Sequence, residues 1–227
     1  MFSYYGSKSK IVGYYPPPKF DKIIEPFAGS ARYSLKYFEK DILLLDKYEP
    51  IIKIWRWLQQ CSKDDILKLP NLNTGENIKD YNFDCEEQKL FMGFIIKGGD
   101  YKARYTVSPF RGGKLEPIKK KIADNLFKIK HWKIELGTYE GLTNEDATWF
   151  IDPPYQFGGH KYPCSNKKID YPLLKKWIEE RQGQIIVCEN TKADWMDFSP
   201  LKEMRGTMFK TTEAIWSNIE PQNLLQF

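Results

Sequence analysis

The sequence predicts an α/β fold: an open sheet with helices on both faces, a C-terminal hairpin on one side, and a small, mainly helical insertion. Three observations predict it. Short apolar, β-branched runs alternate with segments of helical spacing. Lys22–Phe27 runs into a glycine-bearing turn, and two further runs, Ile42–Asp46 and Thr148–Asp152, end in an acidic residue just where the chain must turn. A basic, glycine-bearing stretch interrupts the alternation between the second and third of them. In open sheets of this kind, ligands sit beyond the carboxyl ends of the strands, so those acids mark a candidate site.

Taken in order, Phe2–Lys10 reads as an irregular lead-in with Tyr4, Tyr5, Gly6 and Lys8, and Pro16-Pro17-Pro18 as a stiff connector. Lys22–Phe27 is a predicted strand that runs into Glu25-Pro26-Phe27-Ala28-Gly29-Ser30. The small residues let the backbone approach a ligand, and Ser30 is expected to cap a helix through Tyr33, Leu35 and Phe38. Neither GxGxxG nor GxxxxGK[ST] is present, which excludes the usual dinucleotide and ATP phosphate signatures. Ile42–Asp46 is a second strand; its terminal carboxylate either grips ribose hydroxyls or caps the helix that Ile51, Ile52, Trp55 and Leu58 predict down to Gln60.

Residues 62–131 read as the insertion, flanked by 1–61 and 132–227. Its first part, to about Asn82, is predicted as loops. A helix is predicted over Glu86–Lys97, a polar loop over Gly98–Gly113 and a helix from Pro117 through Ile129. Lys133–Leu136 and Thr148–Asp152 are predicted strands. Two prolines follow Asp152 and lack the N–H that a ladder requires, so the chain must leave the sheet there. Gln156–Lys167 reads as a glycine-bearing lid, Tyr171–Arg181 as a helix and Gln184–Cys188 as a strand. Arg205–Lys210 and Thr212–Ser217 alternate as a hairpin over the far sheet edge.

Of the 227 residues, 41% are hydrophobic and 29% charged, an ordinary globular balance. No apolar run is long enough to span a membrane, and Met1–Gly6 lacks the build of a signal peptide, so a cytoplasmic protein is expected. Cys61, Cys85, Cys164 and Cys188 are widely spaced, which fits reduced thiols better than a zinc site or disulfides. His131 and His160 are too isolated to make a metal site. The net charge is +5, but eleven Lys/Arg against three acids lie between Lys97 and Lys133. Such a zone fits either a polyanionic partner or a solvated helix face, and charge alone does not choose.

The motifs together are more specific. Asp152-Pro153-Pro154-Tyr155 resembles the DPPY motif of amino-methyltransferases that use S-adenosylmethionine. Glu25–Ser30 resembles the cofactor motif of that family, and Tyr4-Tyr5-Gly6-Ser7-Lys8 its N-terminal motif. Their order, with an insertion before DPPY, is similar to that of the Dam-like (D12 class) DNA adenine-N6 methyltransferases. Ile129–Trp132, Ile186–Asn190 and Glu213–Trp216 resemble further stretches of small members. The resemblance covers essentially the whole chain and implies a Rossmann-like methyltransferase sheet, with residues 62–131 as a target-recognition insertion.

It also implies roles. Tyr4 and Lys8 would lie near the cofactor and target base; Glu25, Pro26, Phe27, Ala28, Gly29 and Ser30 would wrap the methionine part; Asp46 would bind the ribose; Tyr139 would pack on the adenine. Thr138 stands where the family often has an acid, and Ser30 where glycine is more usual. Asp152, with Pro153, Pro154 and Tyr155, would form the catalytic clamp on a flipped-out base. The candidate nucleic-acid contacts are Lys8, Lys102, Arg104, Arg111, Lys114, Lys119, Lys120, His160 and Lys161. The partner expected is DNA in a bacterial or phage-infected cell. Cytosine-N4 transfer, an RNA substrate, or a catalytically silent nucleic-acid-binding module are the alternatives.

Overall fold

A computed structural model describes residues 1–2, 4–205 and 210–219. Seven strands form one sheet: β1 (Lys22–Glu25), β2 (Asp41–Asp46), β3 (Lys133–Leu136), β4 (Ala147–Ile151), β5 (Gly183–Asn190), β6 (Ser199–Arg205) and β7 (Lys210–Ser217). Their spatial order is β3-β2-β1-β4-β5-β7-β6. The first five run parallel, while β7 is antiparallel to both β5 and β6. This is an α/β, Rossmann-like sheet, as the alternation of strand and helix patterns predicts.

Side chains alternate across the sheet with a period of two, so each strand feeds two cores. Ile23, Ile42, Leu44, Phe150 and Ile186 point to one face. Ile24, Leu43, Trp149, Ile151 and Val187 point to the other. The first face is covered by α1 (Arg32–Lys36) and α2 (Glu49–Gln60); the second by α6 (Tyr171–Glu179) through Leu174, Trp177 and Ile178. Beneath the strand ends, Tyr33 stacks on Phe150 with centroids 4.3 Å apart, and Tyr15 meets the same ring edge-on at 5.0 Å. Each such pair contributes about 0.5–1.5 kcal/mol beyond its burial and stiffens the floor of the sheet where the site is built.

Residues 62–131 contain α3 (Lys63–Leu67), α4 (Glu86–Ile95) and α5 (Leu115–Ala123). They share the core of the first face: Phe91 of α4 packs against Trp57 of α2 at 5.2 Å, and Ile66, Phe94, Leu115 and Ile122 are buried with it. The short helix α3 falls where loops were expected. Ser62 and Asp65 cap it reciprocally, satisfying two end donors that would otherwise go unpaired. The expected hairpin also shifts. Its first arm is Ser199–Arg205 rather than Arg205–Lys210, residues 206–209 lie outside the described residues, and β7 inserts between β5 and β6. Among the described residues, no helix is long and apolar enough to cross a membrane.

Candidate active site

The parallel strands all present their carboxyl ends on one side, and three of them deliver an acid there. Glu25 ends β1, Asp46 ends β2, and Asp152 is the first residue past β4. They wall a cleft of about 180 Å³ together with Tyr4, Lys8, the turn from Pro26 to Ala31, Tyr139 and Pro154. Sequence positions far apart thus converge on one cleft.

The turn after β1 is bent by two residues of positive φ, Gly29 at 44° and Ala31 at 45°. Glycine occupies that region freely, and here its lack of a side chain also has a steric use: a Cβ at Gly29 would lie 3.2 Å from the Tyr4 ring. Asp46 holds the turn, its carboxylate accepting from the Gly29 N–H at 2.9 Å and the Tyr48 N–H at 2.8 Å. Burial raises the Asp46 pKa, while those backbone N–H groups pull the other way. Ser30 does not cap α1: Ala31 holds the cap position in a left-handed conformation, with no side-chain bond to the helix. The Ser34 N–H is instead taken by the Glu25 carboxylate at 2.7 Å. Glu25 is fully enclosed, and that burial pushes its pKa up to about 8 against the pull of the Ser34 bond.

The N-terminal segment crosses the cleft and places Lys8 in its depth. The Lys8 ammonium lies 2.8 Å from Asp152 Oδ1, donates to the Tyr155 hydroxyl at 2.7 Å, and lies 3.5 Å from Glu213 Oε1 on β7. Burial works against its charge, but the two carboxylates outweigh that and hold its pKa above the ordinary lysine value. Asp152 keeps 23% of its side chain exposed. Burial raises its pKa, Lys8 lowers it and Glu213 raises it, leaving the group at about 6 and therefore mainly ionised at neutral pH.

The residues after Asp152 are held from behind. Pro153 is buried and is not part of the cleft wall; the Pro154 carbonyl accepts from the Tyr171 hydroxyl at 2.6 Å. Tyr155 is drawn back from the wall by Lys8 and by the bond its hydroxyl donates to Glu213. Glu189, at the end of β5, accepts from the Gln156 N–H, the Asn190 N–H and the Trp195 indole. Burial pushes Glu189 up to about 7, with those bonds opposing it. The loop from Gln156 to Lys168 is anchored over the cleft by Asn166 donating to the Gln156 carbonyl at 2.7 Å and by Tyr162 donating to the Tyr5 carbonyl at 3.2 Å.

At the other end of the cleft, Phe27 and Tyr139 place their rings 5.6 Å apart. Thr138, Glu140, Asp170 and Leu173 complete that wall. Thr138 is not acidic, but Glu140 and Asp170 bring carboxylates to the same end. Glu140, Asp170, Tyr162 and Glu213 are the site residues that sequence reasoning missed. Glu213 carried a signal: a charged residue in an otherwise strand-like run, which alternation pairs with Ile215 on one side.

The basic residues separate into distinct groups. Lys102, His160 and Lys161 are exposed beside the mouth. The Lys161 ammonium lies 5.8 Å from the Tyr5 ring, and Lys102 lies 5.7 Å from Tyr101, whose ring meets Tyr5 edge-on. The loop holding Lys102 is tied to the cleft by the Tyr5 N–H donating to the Asp100 carbonyl at 3.1 Å. Arg104 is bound to Asp100 at 2.7 Å, so its charge is locally matched. Arg111 is half-buried, close enough to Gly98 that a Cβ there would lie 2.3 Å from its guanidinium, while Lys114 and Lys120 are exposed away from the cleft wall. Lys119 is corrected outright. It is 1% exposed, and its ammonium donates to the Leu67 carbonyl at 3.1 Å and to the Leu69 carbonyl. It closes the C-terminal end of α3 and has no surface to offer a phosphate, since those carbonyls would otherwise go unpaired.

No family model matches the chain, and no curated protein matches it. Among solved structures, the candidate methyltransferase yhhF of Escherichia coli aligns at 10% identity over 92% of this chain and 78% of its own, with a TM-score of 0.36. The candidate methylase HI0767 of Haemophilus influenzae aligns at 11% identity over 88% of this chain and 80% of its own, with a TM-score of 0.34. The rRNA methyltransferase aviRa of Streptomyces viridochromogenes aligns at 8% identity over 86% of this chain and 76% of its own, with a TM-score of 0.39. None of the three superposes closely, and the functional reading rests on the cleft itself.

Proposed function

We propose that the protein transfers a methyl group from S-adenosylmethionine to the exocyclic N6 amine of adenine in DNA. The observation that carries this reading is Asp152: a cleft-facing carboxylate at the exit of β4, mainly ionised and held by Lys8. The cleft's chemistry fits the cofactor. Asp152 offers negative charge to a ligand that carries a sulfonium and an ammonium, Glu25 and Asp46 offer carboxyl groups that such a cation favours in the ionised form, and Phe27 and Tyr139 offer apolar rings to its adenine. Glu25 and the turn to Ser30 would hold the methionine part, Asp46 the ribose, and Tyr139 with Glu140 or Asp170 the base. When bound, the cofactor supplies an electrophilic methyl group on sulfur.

The protein's part is positioning and electrostatics. The amine of adenine is a poor nucleophile because its lone pair is delocalised into the ring. The Asp152 carboxylate accepts an N–H of that amine, which draws the nitrogen towards tetrahedral geometry; Pro153, buried behind the wall, fixes the backbone that carries it. On receiving the methyl group the amine nitrogen would become cationic, and Asp152 would stabilise that charge and take up the proton before it passes to solvent. Protonated Asp152 would donate rather than accept, so the ionised form is the active one. The target base leaves the duplex to reach this depth. Lys102, Lys161 and His160 at the mouth, with Arg104, Arg111, Lys114 and Lys120 further out, contact phosphates; residues 62–131 carry target recognition.

The clamp suits any exocyclic amine, so the base is decided by experiment. The protein is incubated with labelled cofactor and with DNA or RNA, and the modified nucleosides are separated. Label in N6-methyladenine of DNA is the expected result. Label confined to N4-methylcytosine or to RNA moves the reading to that substrate, and cofactor binding without transfer to either polymer sinks it in favour of a silent binding module.

A further inference from the structure

Behind the cleft wall, three donors converge on one oxygen of Glu213. Its Oε1 accepts from the Tyr15 hydroxyl at 2.6 Å and from the Tyr155 hydroxyl, and lies 3.5 Å from the Lys8 ammonium. The residue is only 8% exposed. All three donors give and none accepts, so that oxygen serves as a pure acceptor. The arrangement is therefore two carboxylates, Asp152 and Glu213, around one ammonium, with a surplus of one negative charge. The exposed part of that surplus is Asp152, which faces the cleft.

We propose that Glu213 is a positioning residue for methyl transfer: it shares the Lys8 ammonium, anchors Tyr155, and so leaves Asp152 as a net-negative acceptor for the target amine. The inference rests on the function proposed above. With Glu213 neutral, Lys8 and Asp152 become a closed, neutral pair. A neutral pair accepts an N–H weakly and does little for the positive charge that develops on nitrogen. Tyr155, whose ring centroid lies 4.6 Å from the Lys8 ammonium, then has a neutral acceptor in place of a charged one. The groups facing Glu213 come from every neighbouring element: Lys8 and Tyr15 from the N-terminal segment, Asp152 and Tyr155 from the β4 exit, Cys188 from β5 and Tyr162 from the loop above. On β6, Lys202 stands opposite in register but turns its ammonium to the Tyr14 ring, 4.5 Å away. Lys8 is therefore the cation that Glu213 and Asp152 share.

The test compares wild type, Glu213→Gln and Glu213→Asp. Three readouts are taken: methyl-transfer kinetics against pH, cofactor affinity, and the titration of Asp152 by NMR of labelled aspartate, assigned from the signal lost in Asp152→Asn. Glu213→Gln is expected to lower kcat about tenfold or more, the scale of removing one electrostatic contact, with cofactor affinity unchanged within about twofold. It is also expected to move the Asp152 midpoint and the acid limb of the rate profile to lower pH, because a like charge has been removed. Glu213→Asp keeps the charge and is expected to restore the midpoint and most of kcat. An unmoved midpoint in a folded Glu213→Gln protein overturns the proposal, and so does equal damage from both variants. If Glu213→Gln does not fold, a Glu213→Asp protein whose midpoint has fallen overturns it on its own. A wild type that transfers no methyl group sinks the functional reading instead, whatever the midpoint does.

Discussion

Replacing Glu25 with glutamine isolates one consequence of building an acidic cleft in advance of its ligand. Glu25 is enclosed, and burial raises its pKa from 4.5 to about 8. A carboxyl whose folded pKa lies above its unfolded value stabilises the protein below the unfolded value, and that contribution is lost as pH rises through the folded one. Between pH 6 and pH 8 the linkage slope falls from about 1.36 kcal/mol per unit to half of that at the folded midpoint, or about 2.3 kcal/mol in all. For a chain of this size that is roughly 5–10 °C in Tm. Glutamine is isosteric and keeps an acceptor for the Ser34 N–H, but it does not ionise. Thermal melts of both proteins from pH 5 to pH 9 are the assay. The wild type should lose stability relative to Glu25→Gln across that window. Adding S-adenosylmethionine should reverse the order at high pH, since a cation in the cleft favours the ionised glutamate. Parallel melting curves for the two proteins would refute the reasoning, because they would mean that Glu25 titrates as it does when unfolded.

Three further outcomes follow from the site. Asp152→Asn should reduce transfer at least about a hundredfold while leaving DNA binding in place, and wild-type activity should fall about tenfold per pH unit below its midpoint near 6; a flat profile from pH 5 to 8 would remove Asp152 from the chemistry. Neutralising Lys102 and Lys161 together should lower the slope of log affinity for DNA against log salt by about 2, measured by fluorescence anisotropy; an unchanged slope would take both out of the interface. Lys119→Ala should cost about 2–3 kcal/mol in chemical denaturation, because two carbonyls at the end of α3 lose their donor, while DNA affinity stays as it was; a loss of affinity without a loss of stability would return Lys119 to the surface.

Several of these residues could be read locally. The exit at Asp152 follows from two prolines that no central strand tolerates, and the turn at Gly29 from small residues between an apolar strand and a helix. Even Lys119 was legible in retrospect. With Leu115 and Ile122 it occupies positions i, i+4 and i+7, the spacing of the buried stripe, so the run of three lysines was never a uniform face. The capping pair Ser62 and Asp65 likewise announced α3. In both cases composition outweighed periodicity, and periodicity was the better guide.

What the chain alone determined is the set of local devices: strands that end in acids, a glycine turn and a proline-forced exit. These depend on backbone sterics and side-chain pattern within a few residues. What only the tertiary structure decided is which charges meet. Glu213 is 198 residues from Tyr15 and 58 from Tyr155, and Lys8 is 147 from Tyr155. Their meeting depends on β7 lying beside β5, on the N-terminal segment crossing the strand ends, and on burial that makes each unpaired charge costly. Those are long-range packing outcomes, and they turn a lone aspartate at a strand exit into one half of a shared, net-negative pair around Lys8.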